Sequence, residues 1–305
     1  MSRILGGIGI AHAPSMGYQF DKGMQSGFDP KWQQWYDGTL PVKAWLNELG
    51  ASHMVIIYND HMNYFDLKTY PTFAIGMAEH FPQADEGYGP RPFPGMDGDP
   101  AFAWPLARAL VRDGFDLTFC QELELDHGVY SWLPYLMDPP WPLKVLPIAV
   151  NMLMQPTPTP QRLRALGESL RRAILNDGAD HDVVVLATGG MSHQIHGTRF
   201  GLTNEKWDRN FLETIESGMD ELIAIPMEKI MQAAGTEAAE LSMWYTMRAS
   251  LSTGARARYR YYTLPAVTGC GVITLDEPRT KTKKVKRTRA APARGTRSSR
   301  RARRR

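Results

Sequence analysis

Four of the eight histidines in this 305-residue chain, His12, His61, His127 and His193, follow apolar runs at points where a loop should begin. Imidazole is the side chain that titrates nearest neutral pH and is the commonest metal ligand. In open α/β sheets ligands sit outside the carboxyl ends of the strands. His12, His61 and His193 therefore converge on one place if their strands are parallel neighbours. Taken singly, any of them reads more simply as a structural histidine. Glu240 is the other anomaly, because it lies in AAELSMWYTMRASL, Ala238 to Leu251, a predicted helix that is apolar around most of its circumference. A carboxylate there is either buried beside a cation or donors, which its desolvation would require, or exposed in a first turn where the helix dipole favours it. Two neutral imidazoles and one carboxylate suit Fe(II) with open coordination positions, and the same set can hold catalytic zinc. Spacing does not choose between the two metals, since there is no HExxH helix.

The elements that would position these residues can be read from apolar periodicity. Ile4 to Ala11 and Met54 to Tyr58 are compact runs with β-branched residues, and both are predicted to be buried strands. Between them Leu40 to Leu49 has helical spacing in Val42, Trp45, Leu46 and Leu49, with Gly50 as a stop. Thr159 and Pro160 are placed to cap and start a second helix whose Leu163, Leu166, Leu170 and Ile174 share one face. Val183 to Ala187 then gives another strand, ending at Gly189 and Gly190. This alternation predicts an α/β sheet covered by helices on both faces. Gly87 to Pro100, Asp138 to Pro142 and Pro156 to Pro160 read as surface loops, and none marks a domain boundary.

Composition narrows the class. The apolar content of 43% is ample for a core. The net charge of +3 hides an asymmetry: residues 279–305 carry 14 Lys or Arg and no acid, leaving 21 basic residues against all 32 acidic ones, a net of −11, in residues 1–278. A catalytic domain over 1–278 and a disordered basic tail over 279–305 are expected. The tail is either a solvated extension or a binder of nucleic-acid phosphates. Cys120 and Cys270 form no CxxC pair, which argues against a cysteine zinc site and fits a reducing cytoplasm. No apolar stretch approaches the roughly 18 residues of a membrane span.

Several longer stretches resemble class III extradiol ring-cleaving dioxygenases, and most closely the catalytic β subunit of the protocatechuate 4,5-dioxygenases, with the gallate dioxygenases next. They are GIGIAHAP around His12, VIIYNDHM around His61, PTFAIGMAE from Pro71, ADEGYGPRP from Ala84, DHG at Asp126 to Gly128, ATGGMSHQIHG from Ala187, and GTEAAELSMWYTMRASL around Glu240. The likeness runs to about Leu275. It implies a three-layer α/β/α sandwich with a central mixed, largely parallel sheet. It also implies Fe(II) held by His12, His61 and Glu240, His193 as the active-site base, and His127 as a second histidine beside the substrate. The implied reaction opens a carboxylated catechol such as protocatechuate or gallate with O2, next to the two hydroxyls. Asn59 and Asp60 flank His61 and either orient it or cap the following turn, with the turn favoured for Asn59. Asp126 beside His127 has the same two readings.

The likeness departs from the protocatechuate enzymes in two places. Where they carry a Ser-Asn pair after Pro-Ala to contact the substrate carboxylate, this chain has Val267 and Thr268, and Val267 has no side-chain donor. Nothing in the sequence resembles their small helical α subunit, so a separate α-like partner in an α2β2 assembly is expected. Two other function classes stand beside the dioxygenase: a zinc-dependent hydrolase with the same ligands, and a non-enzymatic binding protein tethered to nucleic acid by its tail. The complete set of five candidate site residues argues against the second.

Overall fold

The computed structural model describes residues 1–87 and 89–278. The basic tail over 279–305 lies outside the described residues. In chain order the first half contains β1 (Arg3–Ile10), α1 (Pro14–Ser26), α2 (Pro30–Leu49), β2 (His53–Tyr58) and β3 (Phe73–Gly76). It continues through the short β4 (His80–Phe81) and β5 (Met96–Asp97) to α3 (Pro100–Arg112), β6 (Thr118–Cys120), α4 (His127–Tyr130) and α5 (Leu133–Leu136). The second half contains β7 (Lys144–Val150), α6 (Pro160–Leu175), β8 (Asp182–Thr188), α7 (Glu205–Thr214), α8 (Met219–Ile223) and α9 (Met227–Ala234). A 3-10 turn (Glu237–Ser242) leads into α10 (Met243–Ser250), and β9 (Arg256–Thr263) and β10 (Cys270–Asp276) follow.

Eight strands form one sheet in the order β6-β3-β7-β2-β8-β1-β10-β9. The central strands β7, β2, β8 and β1 are mutually parallel. Their near-continuous burial matches their Val- and Ile-rich sequences, as a sheet covered on both faces requires. On one side β10 and β9 add antiparallel, and on the other β3 pairs antiparallel with β7. Successive strand residues point to opposite faces, and β1 shows what covers each. A Cβ on Gly6 would press on Trp45 of α2, whereas one on Gly7 would meet Met247 of α10. The strand is sandwiched between those helices, and α6 packs outside it against α10. The chain is thus the expected three-layer α/β/α sandwich.

Local expectations are met unevenly. Helix α6 begins at Pro160 with Thr159 capping the Arg162 amide, and Leu163, Leu166, Leu170 and Ile174 are buried as the spacing predicts. Helix α2 begins ten residues before the predicted Leu40, capped by Asp29, because Trp32 and Trp35 extend its buried stripe and the helix runs through Pro41. Gly87 to Pro100 is not wholly a surface loop: Met96 is fully buried and pairs with Phe81 across β4 and β5. Residues 238–251 are not one α-helix, since the stretch is wound as 3-10 through Ser242. Both cysteines are free and buried. No helix among the described residues is long and apolar enough to cross a membrane.

Candidate metal centre

Strands β2, β8 and β1 are adjacent and parallel, so their carboxyl ends open on one side of the sheet. His12 follows β1 by two residues, His61 follows β2 by three, and His193 follows β8 by five. The 3-10 turn brings Glu240 to the same edge, only 4% exposed. Its carboxylate lies 3.1 Å from Nε2 of His12 and 3.5 Å from Nε2 of His61. The first distance is to Oε2 and the second to Oε1, and both are near the roughly 3 Å between neighbouring corners of an octahedron with bonds of about 2.1 Å. The exposed-turn alternative for Glu240 is overturned by its burial.

The polar partners leave a gap that a cation would fill. The Nδ1 atoms of both histidines are occupied, that of His12 by Thr188 Oγ1 at 3.0 Å and that of His61 by Asp126 Oδ2 at 2.9 Å. Both Nε2 atoms consequently point at the carboxylate, and among the described residues the buried Nε2 of His12 makes no hydrogen bond despite the nearby Glu240 oxygen. Burial lowers the pKa of His12 against the opposing pull of Glu240. Burial alone would also lower His61, but Asp126 and Glu240 overturn that and push it up to about 10. Desolvation would raise Glu240, yet His12 and His61 hold it well below the usual carboxylate range. Its oxygens accept from Asn59 Nδ2 at 3.1 Å and from the Gly190 amide at 2.9 Å. The donor set fits a divalent metal.

His127, the first residue of α4, completes the cluster. Its ring centroid is 3.9 Å from that of His61 and 5.8 Å from that of His12. One nitrogen from each of the three lies within 4.8 Å of the others, so His127 borders the same ion position. Glu86 grips it twice, through Nδ1 at 2.5 Å and the backbone amide at 2.9 Å. A carboxylate can only accept, which places the Nδ1 proton and leaves Nε2 facing the cluster. His193 is set the same way: Nδ1 is 2.7 Å from the carbonyl of Met191, so it carries the proton and Nε2 is the free base. Its ring lies on Gly190, where a Cβ would strike it, and its carbonyl lies where a Cβ on Gly235 would be. Asp208 fixes the preceding residue, accepting from the amide and hydroxyl of Ser192 and from Tyr262. A cavity of about 350 Å³ opens beside His127, walled by Tyr18, Glu86, Arg91 and Tyr130. That is enough for a single-ring ligand. Arg91 is committed within it, pairing through two nitrogens with Asp21 at 2.7 Å.

The structure brings His12, His61, His127 and Glu240 together and sets His193 against Gly190, whose amide holds Glu240. Thr268 is buried and bridges the backbone of His193, while Val267 beside it is 43% exposed. The turn role favoured for Asn59 is wrong: its amide touches both His61 Nε2, at 3.0 Å, and Glu240. Asp60 has the turn role instead, accepting from the amides of Asn63, Tyr64 and Phe65. Asp126 fills both of its readings, capping Gly128 with Oδ1 and holding His61 with Oδ2. Met62, next to His61, has a left-handed φ of 61°, a conformation that costs a non-glycine residue about 1–3 kcal/mol. Sequence reading missed Thr188, Glu86, Ser192, Asp208 and Tyr262. Glu86, Thr188 and Ser192 sat in stretches that had drawn attention, whereas Asp208 and Tyr262 did not, and the partner of Glu86 lies 41 residues away.

Comparison with known proteins identifies the family. A family profile described as "Catalytic LigB subunit of aromatic ring-opening dioxygenase" matches residues 6–272. A gallate dioxygenase of Pseudomonas putida is 36% identical over 195 residues, 63% of this chain but only 57% of that protein's length. A 2,3-dihydroxyphenylpropionate/2,3-dihydroxicinnamic acid 1,2-dioxygenase of Rhodococcus jostii is 24% identical, covering 76% of this chain and 88% of the relative. One from Escherichia coli is 26% identical, covering 83% and 92%.

Proposed function

The chain belongs to the family of catalytic LigB subunits of aromatic ring-opening dioxygenases, and from that premise we propose that it opens a carboxylated catechol extradiol to its hydroxyls, using O2 and Fe(II) held by His12, His61 and Glu240. The observation that carries this reading is the buried carboxylate faced by two imidazole Nε2 atoms whose other nitrogens are already engaged. The bound metal supplies Lewis acidity, which makes loss of the catechol protons feasible near neutral pH. Asp126 and Thr188 orient the two imidazoles from behind. Glu240, as the only carboxylate in the set, leaves a net positive charge for the substrate oxygens. His193, with Nδ1 committed to a neutral carbonyl, takes a hydroxyl proton at Nε2. His127, anchored by Glu86, holds or returns a proton on the other side.

Gallate is the first substrate to test, because a gallate dioxygenase is among the relatives. Protocatechuate is the second, with Thr268 and backbone groups beside His193 receiving the ring carboxylate where Val267 has no donor. Oxygen uptake by Fe(II)-loaded protein offered gallate, protocatechuate and unsubstituted catechol tests the reading, and a yellow ring-opened product supports it. Absence of uptake from all three under iron-replete conditions sinks it, and zinc-dependent hydrolysis instead would select the other enzyme class.

The same reading includes a small α-like partner lidding the site in an α2β2 assembly. Tyr18, Met62, Ile195 and Phe200 are large apolar side chains more than half exposed, on segments adjoining His12, His61 and His193. Turnover by the purified chain should rise when such a subunit is added, and full activity without one would refute the lid.

Two further outcomes follow from the ligand set. Thr188→Val keeps the volume of the threonine and removes the hydroxyl that orients His12, so metal affinity should fall roughly 10–100-fold with the fold intact. Chelator competition measures it. The raised pKa of His61 also sets a proton balance. In the metal-free protein its proton is held from the ordinary value of 6.5 up to about 10, and a metal must displace it. At pH 7.5 binding should release about one proton per ion, and apparent affinity should rise about tenfold per pH unit across that window. Titration in weakly buffered solution with a pH indicator reads this directly, and pH-independent binding would contradict it.

A further inference from the structure

At the opposite end of the parallel strands lies a second group of metal-ligating side chains. His53 opens β2, His181 immediately precedes β8, and Asp99 caps α3. One ligating atom from each lies within 4.8 Å of the other two. Five strand rises of about 3.3 Å separate His53 from Tyr58, which puts this group about 17 Å or more from the centre holding His61. The catalytic reading makes no use of it.

Its construction is that of an ion site. Asp99 divides its carboxylate: Oδ1 accepts the amides of Ala101 and Phe102 at the start of α3, while Oδ2 faces Nε2 of His53 at 3.1 Å. Behind His53, Nδ1 meets Ser52 Oγ at 2.8 Å. Behind His181, Nδ1 meets Asp177 Oδ2 at 2.9 Å, and Asp177 is steadied by Ser2 at 2.8 Å. A carboxylate can only accept, so the His181 proton is on Nδ1 and its Nε2 keeps a lone pair. Metal-bound histidines are oriented in this way, by a carboxylate or hydroxyl on the nitrogen facing away from the ion. The two rings lie 4.3 Å apart between centroids, and Phe102 packs against both, at 4.8 Å and 5.1 Å. His53 is buried, whereas the side chains of Asp99 and His181 are each 19% exposed, which gives an ion a way in. Lys144 is near enough to oppose a cation, but the two carboxylates of Asp99 and Asp177 outnumber it.

We propose that His53, Asp99 and His181 form a second site for a divalent transition metal of the zinc class, which ties the starts of β2 and α3 to the turn before β8. Two imidazoles and a carboxylate suit borderline ions such as Zn2+ better than Ca2+ or Mg2+, which prefer all-oxygen shells. Binding displaces the proton shared between His53 and Asp99. The site is structural, and its ion stabilises the fold by mass action.

The test is a zinc titration of the metal-free full-length chain against a chromophoric chelator, with the thermal midpoint followed in parallel. The intact chain should take up two equivalents, and Glu240→Ala should keep the one bound at this second site. Adding His181→Ala to either background should remove one equivalent, weakening that step more than 100-fold. Asp99→Asn should do the same while still capping α3, since asparagine caps as well as aspartate. His181→Ala alone should leave ring cleavage unchanged, and added to Glu240→Ala it should abolish the zinc-dependent rise in thermal midpoint which that background shows. Equal zinc stoichiometry with and without His181→Ala and Asp99→Asn would overturn the proposal, as would uptake of no zinc by Glu240→Ala protein that retains its far-ultraviolet circular dichroism.

Discussion

Glu240→Ala protein is expected to come through purification folded but without its catalytic metal, and to turn over no substrate. The carboxylate is the sole anion among the three proposed ligands, and it is held from four directions by His12, His61, Asn59 and Gly190. Its removal costs affinity beyond the roughly 10–100-fold typical of an outer partner. It also leaves His61 facing a void rather than a counter-charge. The substitution should therefore lower the pKa of His61 from about 10 towards the ordinary range, because one of the two carboxylates that raise it is gone. Iron content by elemental analysis and the histidine titration by NMR are independent readouts. Iron retained at wild-type affinity would show that His127, which borders the same position, serves as the third ligand in place of Glu240.

His193→Ala is expected to behave in the opposite way, keeping its iron and losing turnover. The ring lies against Gly190 and, among the described residues, hydrogen-bonds only to the Met191 carbonyl, so its loss withdraws no proposed ligand. General-base catalysis contributes typically 10²–10⁴-fold, and kcat should fall by about that factor with KM changed much less. Part of the loss should be recovered at higher pH, where the substrate hydroxyl ionises without help. A variant that loses iron and activity together would instead place His193 in the metal shell.

The sequence showed the frame of this site more clearly than its lining. Buried strands announce themselves by runs such as MVIIY and VVVLA, and a histidine soon after each is visible by eye. That three such strands are adjacent and parallel is a long-range fact that no local pattern encodes. Glu240 was legible as an anomaly, yet its burial followed only from the 3-10 turn that carries it to the edge of β8. Asn59 was misjudged because an Asn ahead of a histidine and a turn resembles a cap, and the residue that pulls it inward is 181 positions away. Thr188, Asp208 and Tyr262 look like ordinary strand and helix residues. Their roles exist only through partners brought in from elsewhere in the chain.

Asp126 touches the backbone and ring of His61, the side chain of Asn63 and the amide of Gly128. Through it the loop after β2 and the start of α4, some 65 residues apart in sequence, are clasped by a single carboxylate. Together with the strand order, this means that no short contiguous fragment of the chain contains the centre. Its proposed ligands follow β1 and β2 and precede α10, and they meet only when the non-local parallel pairings of β1, β8 and β2 are in place. Such pairings are slow to form because the intervening loops must close first. Metal capture is accordingly expected late in folding, and an ion in place reports that β1, β8 and β2 have paired.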